Sequence, residues 1–157
     1  MASIVARRTF DKSEIMAVLT QPDILATISE NNHQDFEIDV NKTGFIACDV
    51  DDELAAVFIF DKVGAVVYDV HAHVLPAQRL NSKDIGNAIL NHFLKSVPTA
   101  EKLTALIPEC YPNVIRYAMQ FGFRLEGVNR LSYLRHGVLL NQAYLGATRE
   151  EVLNELY

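Results

Sequence analysis

The segment from residue 113 to residue 146 constrains the fold more than any other part of this sequence. It follows Pro112, which suits the first turn of a helix because its missing N–H would be unpaired there in any case. Four apolar residues then share one stripe at helical spacing and predict a buried helix: Val114, Ile115, Ala118 and Met119. Gly122 stands where a left-handed C-cap would end this helix.

A β-hairpin is predicted directly after the glycine. Apolar and polar residues alternate in the next segment, as is typical of a strand with one buried face: Phe123, Leu125, Leu131 and Tyr133 against Arg124, Glu126, Arg130 and Ser132. The His136–Gly137 pair predicts a turn, and residues 138–145 return as a second strand. A helix, a glycine stop and a strand–turn–strand unit therefore form the C-terminal half of the predicted fold.

The preceding residues predict one strand, two helices, three strands, a helix and a strand. Hydrophobic periodicity and capping residues place these elements as follows: a strand at Ile4–Arg8, a helix capped by Asp11 or Ser13 that runs to Leu19, a helix at 23–30, strands at 44–50, 54–60 and 65–75, a helix at 82–95 capped by Asn81, and a strand at 102–107. Asp51–Asp52 and Asp61–Gly64 predict the turns between the three strands of residues 44–75.

Size and charge limit the function classes. The 157 residues, half of them hydrophobic, predict a single domain over residues 1–157 that buries roughly two thirds of its unfolded surface. A net charge of −6 disfavours nucleic acid as a partner. No apolar run approaches the roughly 20 residues of a membrane span, so no membrane partner and a cytoplasmic location are expected. Cys48 and Cys110 lack metal or disulfide spacing and are expected to be reduced.

The order of elements and three sequence segments resemble the GNAT N-acetyltransferases. The segments are HVLPAQR at 73–79, GFRLEG at 122–127 and LGATREE at 145–151, and they are most similar to phage-encoded members near the ribosomal-protein N-terminal acetyltransferase branch. The resemblance covers nearly the whole chain. It implies an α+β (α/β) GNAT fold: a mixed central sheet of about seven strands with helices on both faces.

Three polar residues share one face of the fourth predicted strand: Asp69, His71 and His73. The resemblance implies that this strand ends at an acyl-CoA cleft, splayed from residues 102–107. A histidine with a pKa near neutrality can take a proton from an attacking amine, so His71 is the first candidate base and His73 the second, with Asp69 as the orienting carboxylate. Hydrogen-bonded structural histidines and a metal triad are the alternatives, although GNAT catalysis needs no metal.

The loop after Pro76 is expected to hold the pyrophosphate of acetyl-CoA, while the backbone of Val74 aligns its pantetheine arm. The loop residues implied by the resemblance are Gln78, Arg79, Leu80, Asn81, Ser82 and Lys83. Leu80 and Ser82 stand where the family has glycines, and Gly86 comes one turn too late. Side-chain donors on Arg79, Ser82 and Lys83 can compensate, or else this segment is only a helix cap with surface charges.

The usual position of the family's catalytic tyrosine also holds a different residue in this sequence. Ala118 stands four residues before Gly122, where active relatives often carry a tyrosine that protonates the departing thiolate. Tyr117 is the nearest candidate, about 100 degrees around the helix. Asn113 is the candidate hydrogen-bond partner for the pantetheine arm. The alternatives are a packing role for Tyr117 and helix-start chemistry for Asn113.

The resemblance favours an acetyl-CoA-dependent N-acetyltransferase without a metal, in which an amine attacks the thioester directly. The expected acceptor is a peptide terminus or a small amine such as a polyamine. Loss of the loop glycines and the offset tyrosine favour an alternative: a catalytically inactive GNAT-fold structural or assembly protein of a phage, located in host cytoplasm or virion. A homo-oligomer or a larger particle is then expected. A CoA-binding sensor is a third hypothesis.

Overall fold

The computed structural model describes residues 1–28 and 38–156. Its strands are β1 (Ile4–Arg8), β2 (Gly44–Val50), β3 (Glu53–Lys62), β4 (Val67–Val74), β5 (Lys102–Pro108), β6 (Arg124–Arg135) and β7 (Val138–Thr148). Its helices are α1 (Lys12–Leu19), α2 (Pro22–Ile28), α3 (Ser82–Ser96), α4 (Pro112–Met119) and α5 (Arg149–Glu155), and a 3-10 helix spans Pro76–Asn81.

The strands form one mixed sheet in the order β1-β2-β3-β4-β5-β7-β6. Neighbouring strands are antiparallel except β4 and β5, which are parallel. One core cluster lies between the sheet and α3, around Phe60, Ile85 and Ile89. A second lies on the opposite face, where α1 and α2 cover β2 and β3. This is the predicted fold class, with helices on both faces of a seven-stranded sheet in one domain.

Strands β4 and β5 separate soon after they pair. Their register covers only three residue pairs: Val67 with Lys102, Tyr68 with Leu103, and Asp69 with Thr104. Residues 70–74 of β4 continue to pair with β3 but have no partner on β5. The predicted splay is therefore present, and it opens a gap near the middle of the sheet.

Local signals explain several element boundaries. Asp11 caps α1 by accepting hydrogen bonds from the backbone N–H groups of Ser13 and Glu14. Pro112 is the first residue of α4. Gly122 has a φ of +89°, and a Cβ atom there would lie 2.7 Å from the carbonyl oxygen of Glu151. A side chain is therefore excluded at Gly122 by both backbone conformation and close packing.

Two predictions about burial were wrong. Helix α4 contains no fully buried residue, and Val114 and Met119 are 39% and 47% exposed. The predicted alternation in β6 also fails, because Leu125 and Leu131 are 57% and 63% exposed. Register shifts interrupt the β6–β7 pairing beside these two residues, and each shift breaks the regular inward–outward pattern of a strand.

Three predictions about helices also need correction. The sequence-based order ended with two strands, whereas β7 leads into α5, which begins with a capping box between Thr148 and Glu151. Asn81 makes no capping hydrogen bond to α3, and its side-chain nitrogen donates a 2.9 Å hydrogen bond to Gln78 Oε1. Helix α2 begins at Pro22 rather than residue 23, and residues 29 and 30 of the predicted helix lie outside the described part of the chain.

Candidate active site

Two hollows lie on opposite faces of the sheet at the β4–β5 gap. The α3-side hollow has a volume of about 150 Å³ and is lined mainly by apolar side chains, including Val70, Ala105 and Ile107. The α1-side hollow has a volume of about 380 Å³, and Asp61 is its one carboxylate among the described lining residues. Both hollows share six lining residues: Thr27, Ile28, His71, His73, Leu106 and Pro108. The gap therefore joins the two faces of the sheet.

His71 lies at this junction beside two carboxylates. Its Nε2 atom is 3.3 Å from Asp69 Oδ2 and 3.9 Å from Asp61 Oδ2. The hydrogen bond to Asp69 raises the pKa of His71 above its ordinary value, and the negative charges of Asp69 and Asp61 act in the same direction against partial burial. Because both carboxylates face Nε2, the neutral ring carries its proton there and leaves Nδ1 as the basic nitrogen.

Asp69 is itself fixed by the neighbouring strand. Thr104 Oγ1 donates a 2.9 Å hydrogen bond to Asp69 Oδ1, and these two residues form the last pair before β4 and β5 separate. The carboxylate therefore keeps one oxygen for Thr104 and presents the other to His71. Asp69 and His71 are brought together as predicted, on the face of β4 that lines the gap.

His73 has a different environment from His71. Its side chain is buried, and its ring has no hydrogen-bond partner among the described residues, although it lines both hollows. Burial lowers the pKa of His73 to about 4, with a smaller contribution from the positive charge of His71. The ring is therefore neutral at pH 7, and its nitrogens can donate to or accept from a bound ligand.

Tyr117 and Ala118 both line the α3-side hollow. The Tyr117 hydroxyl donates a 2.6 Å hydrogen bond to the carbonyl oxygen of Ser82, and burial raises the pKa of the phenol. The one-residue offset of the tyrosine thus does not send its side chain away from the hollow. The Tyr117 hydroxyl is, however, already bonded to the Ser82 carbonyl at the start of α3.

The predicted cofactor residues lie apart from this junction. Gln78, Arg79, Leu80 and Asn81 belong to the 3-10 helix, and Leu80 is fully exposed. Val74 ends β4 and pairs with Ala56. Asn113 is exposed on α4, and its side-chain oxygen accepts a hydrogen bond from Arg116. Neither Val74 nor Asn113 is among the residues that line the two hollows.

Asp61 and Thr104 were missed by the sequence-based prediction. Asp61 was assigned to a turn, but β3 continues through it and pairs it with Asp69. Thr104 lies within a predicted buried strand, where a single hydroxyl carries no distinguishing signal. Once the β3–β4 register is known, Asp61 must share a face with Asp69, because directly paired residues project to the same side of a sheet.

Within residues 1–28 and 38–156, no three His, Cys, Asp or Glu side chains are grouped so that they could hold a metal ion. No helix in these ranges is long and apolar enough to cross a membrane. Both cysteines are free, as expected, with Cys48 buried and Cys110 partly buried.

No protein-family model matches the sequence, and no curated protein matches it. Solved structures match nearly its whole length. The spermidine N-acetyltransferase of Vibrio cholerae, in complex with CoA and spermine, has a TM-score of 0.78 at 12% identity, over 96% of this chain and 98% of that chain. The candidate acetyltransferase yncA of Salmonella typhimurium, with its cofactor acetyl-CoA, has a TM-score of 0.70 at 13% identity, over 93% and 94%.

A candidate phosphinothricin N-acetyltransferase is a third structural match. Its TM-score is 0.69 at 15% identity, over 93% of this chain and 98% of that chain. The TM-scores establish a shared fold, but at identities this low they do not establish a shared activity, since unrelated chemistries recur on one fold. With its splayed β4 and β5 in a seven-stranded mixed sheet, the chain therefore has the GNAT fold.

Proposed function

We propose that this protein is an N-acetyltransferase that moves an acetyl group from acetyl-CoA to an amine. The passage through the sheet at the β4–β5 gap carries the proposal. Direct transfer requires the thioester carbon and the amine nitrogen to approach within roughly 3–3.5 Å. Two hollows that open on opposite faces and meet at His71 and His73 allow that approach. The structural likeness to proteins solved with CoA or acetyl-CoA supports the same reaction.

His71 is the general base in this proposal. Nδ1 accepts the proton that the amine nitrogen loses as the new carbon–nitrogen bond forms and the carbon–sulfur bond breaks. Asp69 stabilises the resulting imidazolium, and Thr104 keeps Asp69 in place. His73 is buried and neutral, so it serves to orient a reactant rather than to carry charge. Tyr117 is the candidate donor of a proton to the departing sulfur, after release of the Ser82 carbonyl.

The α3-side hollow fits the acyl end of the donor. It is lined by apolar side chains, and residues 70–74 of β4 present a backbone edge with no strand partner on β5. The amides of a pantetheine arm can bond to such an edge in the way a strand would. Val74 at the end of this edge remains the proposed residue for aligning the arm. The 3-10 helix fits phosphate groups poorly, because the backbone N–H of Gln78 and the side-chain amide of Asn81 are already bonded within the protein.

The acceptor amine is proposed to enter from the α1-side hollow. Asp61 lines this hollow beside His71, which lies at its junction with the gap, and the Asp61 carboxylate favours a cationic group nearby. A peptide terminus or a small amine meets this requirement. Membership of a phage-encoded branch and assembly into a particle remain predictions from the sequence.

Thiol release from acetyl-CoA, measured over a panel of amines, tests the proposal. His71→Gln should lower kcat about 10²- to 10⁴-fold, the usual contribution of a general base. His92→Gln is the matched control, since His92 lines neither hollow, and its rate should equal that of the wild type. An unchanged rate in His71→Gln would remove this residue from the mechanism.

The pH dependence provides a second test of the same base. Because Asp69 raises the pKa of His71, kcat/KM should rise with pH through an inflection above the ordinary histidine value of about 6.5. Asp69→Asn should move this inflection to lower pH. If no amine gives thiol release at any pH, the inactive assembly module becomes the better description of the protein.

A further inference from the structure

The N-terminal turn of α3 is clamped to α4 by six residues, which we call the α3–α4 clasp: Ser82, Lys83, Gly86, Tyr117, Gln120 and Phe121. Lys83 Nζ donates a 2.8 Å hydrogen bond to the carbonyl oxygen of Gln120 and lies 4.1 Å from the centre of the Phe121 ring. The Tyr117 hydroxyl donates to the Ser82 carbonyl at 2.6 Å. The clasp therefore occupies the space between the start of α3 and the end of α4.

Two backbone donors beside the clasp are already bonded within the protein. A phosphate at a helix N-terminus binds to unpaired backbone N–H groups. Here the 3-10 helix runs directly into α3, so the chain is already helical where α3 begins. The N–H of Gln78 donates to the Leu75 carbonyl, and the N–H of Ser82 donates to the Arg79 carbonyl. These two amides are therefore hydrogen-bonded within the protein and cannot donate to an anion.

The side chains of this segment are also poorly placed for a diphosphate. Lys83 is held by a carbonyl and an aromatic ring, and the Asn81 amide donates to Gln78. Asp84 places an exposed carboxylate in the first turn of α3, where it repels an anion. Arg79 is exposed on the 3-10 helix and is the cation that remains in this segment. The diphosphate of CoA does not fit here as it fits a glycine-rich loop.

The apolar hollow fits the acyl end of the donor, whereas the segment around the clasp fits its diphosphate poorly. We infer that this protein holds its donor by the acyl-pantetheine arm, draws little affinity from the nucleotide, and accepts pantetheine thioesters about as well as acetyl-CoA. This inference rests on the proposed acetyl transfer. The apolar hollow and the open β4 edge bind the arm. The segment around the clasp does not bind the diphosphate, so the nucleotide stays in solvent.

Calorimetric titration of the whole protein with CoA, pantetheine and adenosine 3′,5′-bisphosphate tests the inference without turnover. The dissociation constants of CoA and pantetheine should agree within about tenfold, and the bisphosphate should produce no binding heat. A CoA affinity about 100-fold or more above that of pantetheine, or binding of the bisphosphate alone, would overturn the inference and leave acetyl transfer standing. Absence of binding by both CoA and pantetheine would overturn both.

Asp84→Asn gives a second measurement on a residue outside the proposed catalytic groups. Its side chain is exposed, so the substitution should leave the fold intact. If the nucleotide stays in solvent, the ratio of CoA to pantetheine affinity should change less than about twofold. A selective gain in CoA affinity would show that the diphosphate sits at the start of α3 and would refute the inference. If the inference holds, acetyl-pantetheine and acetyl-CoA should be turned over with a similar kcat/KM.

Discussion

Gly86→Ala should destabilise the protein although alanine favours helices. An ideal Cβ atom at Gly86 would lie 2.2 Å from Cζ of Phe121 and 2.8 and 2.9 Å from its two Cε atoms. Carbon atoms in contact are ordinarily about 3.5–4.0 Å apart, so the ring would have to retreat by roughly 1.3–1.8 Å. Phe121 is 2% exposed, and Tyr117 packs edge-on against it at 5.1 Å between ring centroids. The ring therefore has little room to move.

The expected magnitude combines two opposing effects. Overpacking a well-packed site costs about 1–3 kcal/mol. Replacing glycine by alanine within a helix contributes about 0.5–1 kcal/mol in the opposite direction. Because a 2.2 Å contact belongs to the upper part of the overpacking range, about 2–3 kcal/mol, the free energy of unfolding should fall by about 1–2.5 kcal/mol. For a domain of this size that corresponds to a melting temperature lowered by roughly 2–10 °C.

A double-mutant cycle with Phe121→Leu, followed by urea unfolding, isolates the contact. Leucine lacks the ring atoms that meet the new Cβ, so Gly86→Ala should become neutral or stabilising in that background. Gly127→Ala is the matched control, since nothing lies within 4 Å of a Cβ atom there. An equal effect of Gly86→Ala in both backgrounds, or a gain in stability in the wild type, would refute the packing argument.

Three further predictions concern stability in urea. Gly122→Ala should lower the free energy of unfolding by about 2 kcal/mol or more, because it combines a positive φ with a contact to a backbone carbonyl; a neutral result would contradict this. Thr148→Ala should cost about 1 kcal/mol through loss of the α5 cap, while Thr148→Ser should retain most of it. Burial lowers the pKa of His73 to about 4. Between pH 6.5 and 4, His73 is therefore protonated in the unfolded chain and neutral in the folded one. Stability should therefore fall by up to roughly 3 kcal/mol from pH 7 to 4, and His73→Gln should flatten this dependence.

The parts of the fold that the sequence could predict are those set by local chemistry. A cap at Asp11 or Ser13, Pro112 at the start of α4 and the positive φ of Gly122 follow from residue type alone, and the structure shows that Asp11 is the cap. The alternation along β4 also predicts that Asp69 and His71 share a face, because a strand has a period of two. The half of the candidate site that lies on one strand therefore follows from the spacing of its residues.

The parts that could not be predicted depend on register and tertiary packing. Leu125 and Leu131 alternate correctly in sequence, but register shifts beside them leave both side chains exposed. Asp61 joins the site only through its pairing with Asp69 across β3 and β4. Helix α5 is a different case, because Thr148 and Glu151 have the spacing of a capping box and the signal was present.

Gly86 has one role in the sequence-based prediction and another in the packing of the structure. In the sequence this glycine lies one turn too late to serve the loop expected to bind pyrophosphate. In the structure its missing side chain makes room for Phe121, which sits under Lys83 and beside Tyr117. Close approach of the segment after α4 thus requires a glycine in α3, and Lys83 in the first turn of α3 donates to the Gln120 carbonyl of that segment. The same glycine position that departs from the family pattern is therefore consistent with the inferred preference for a thioester arm over a diphosphate.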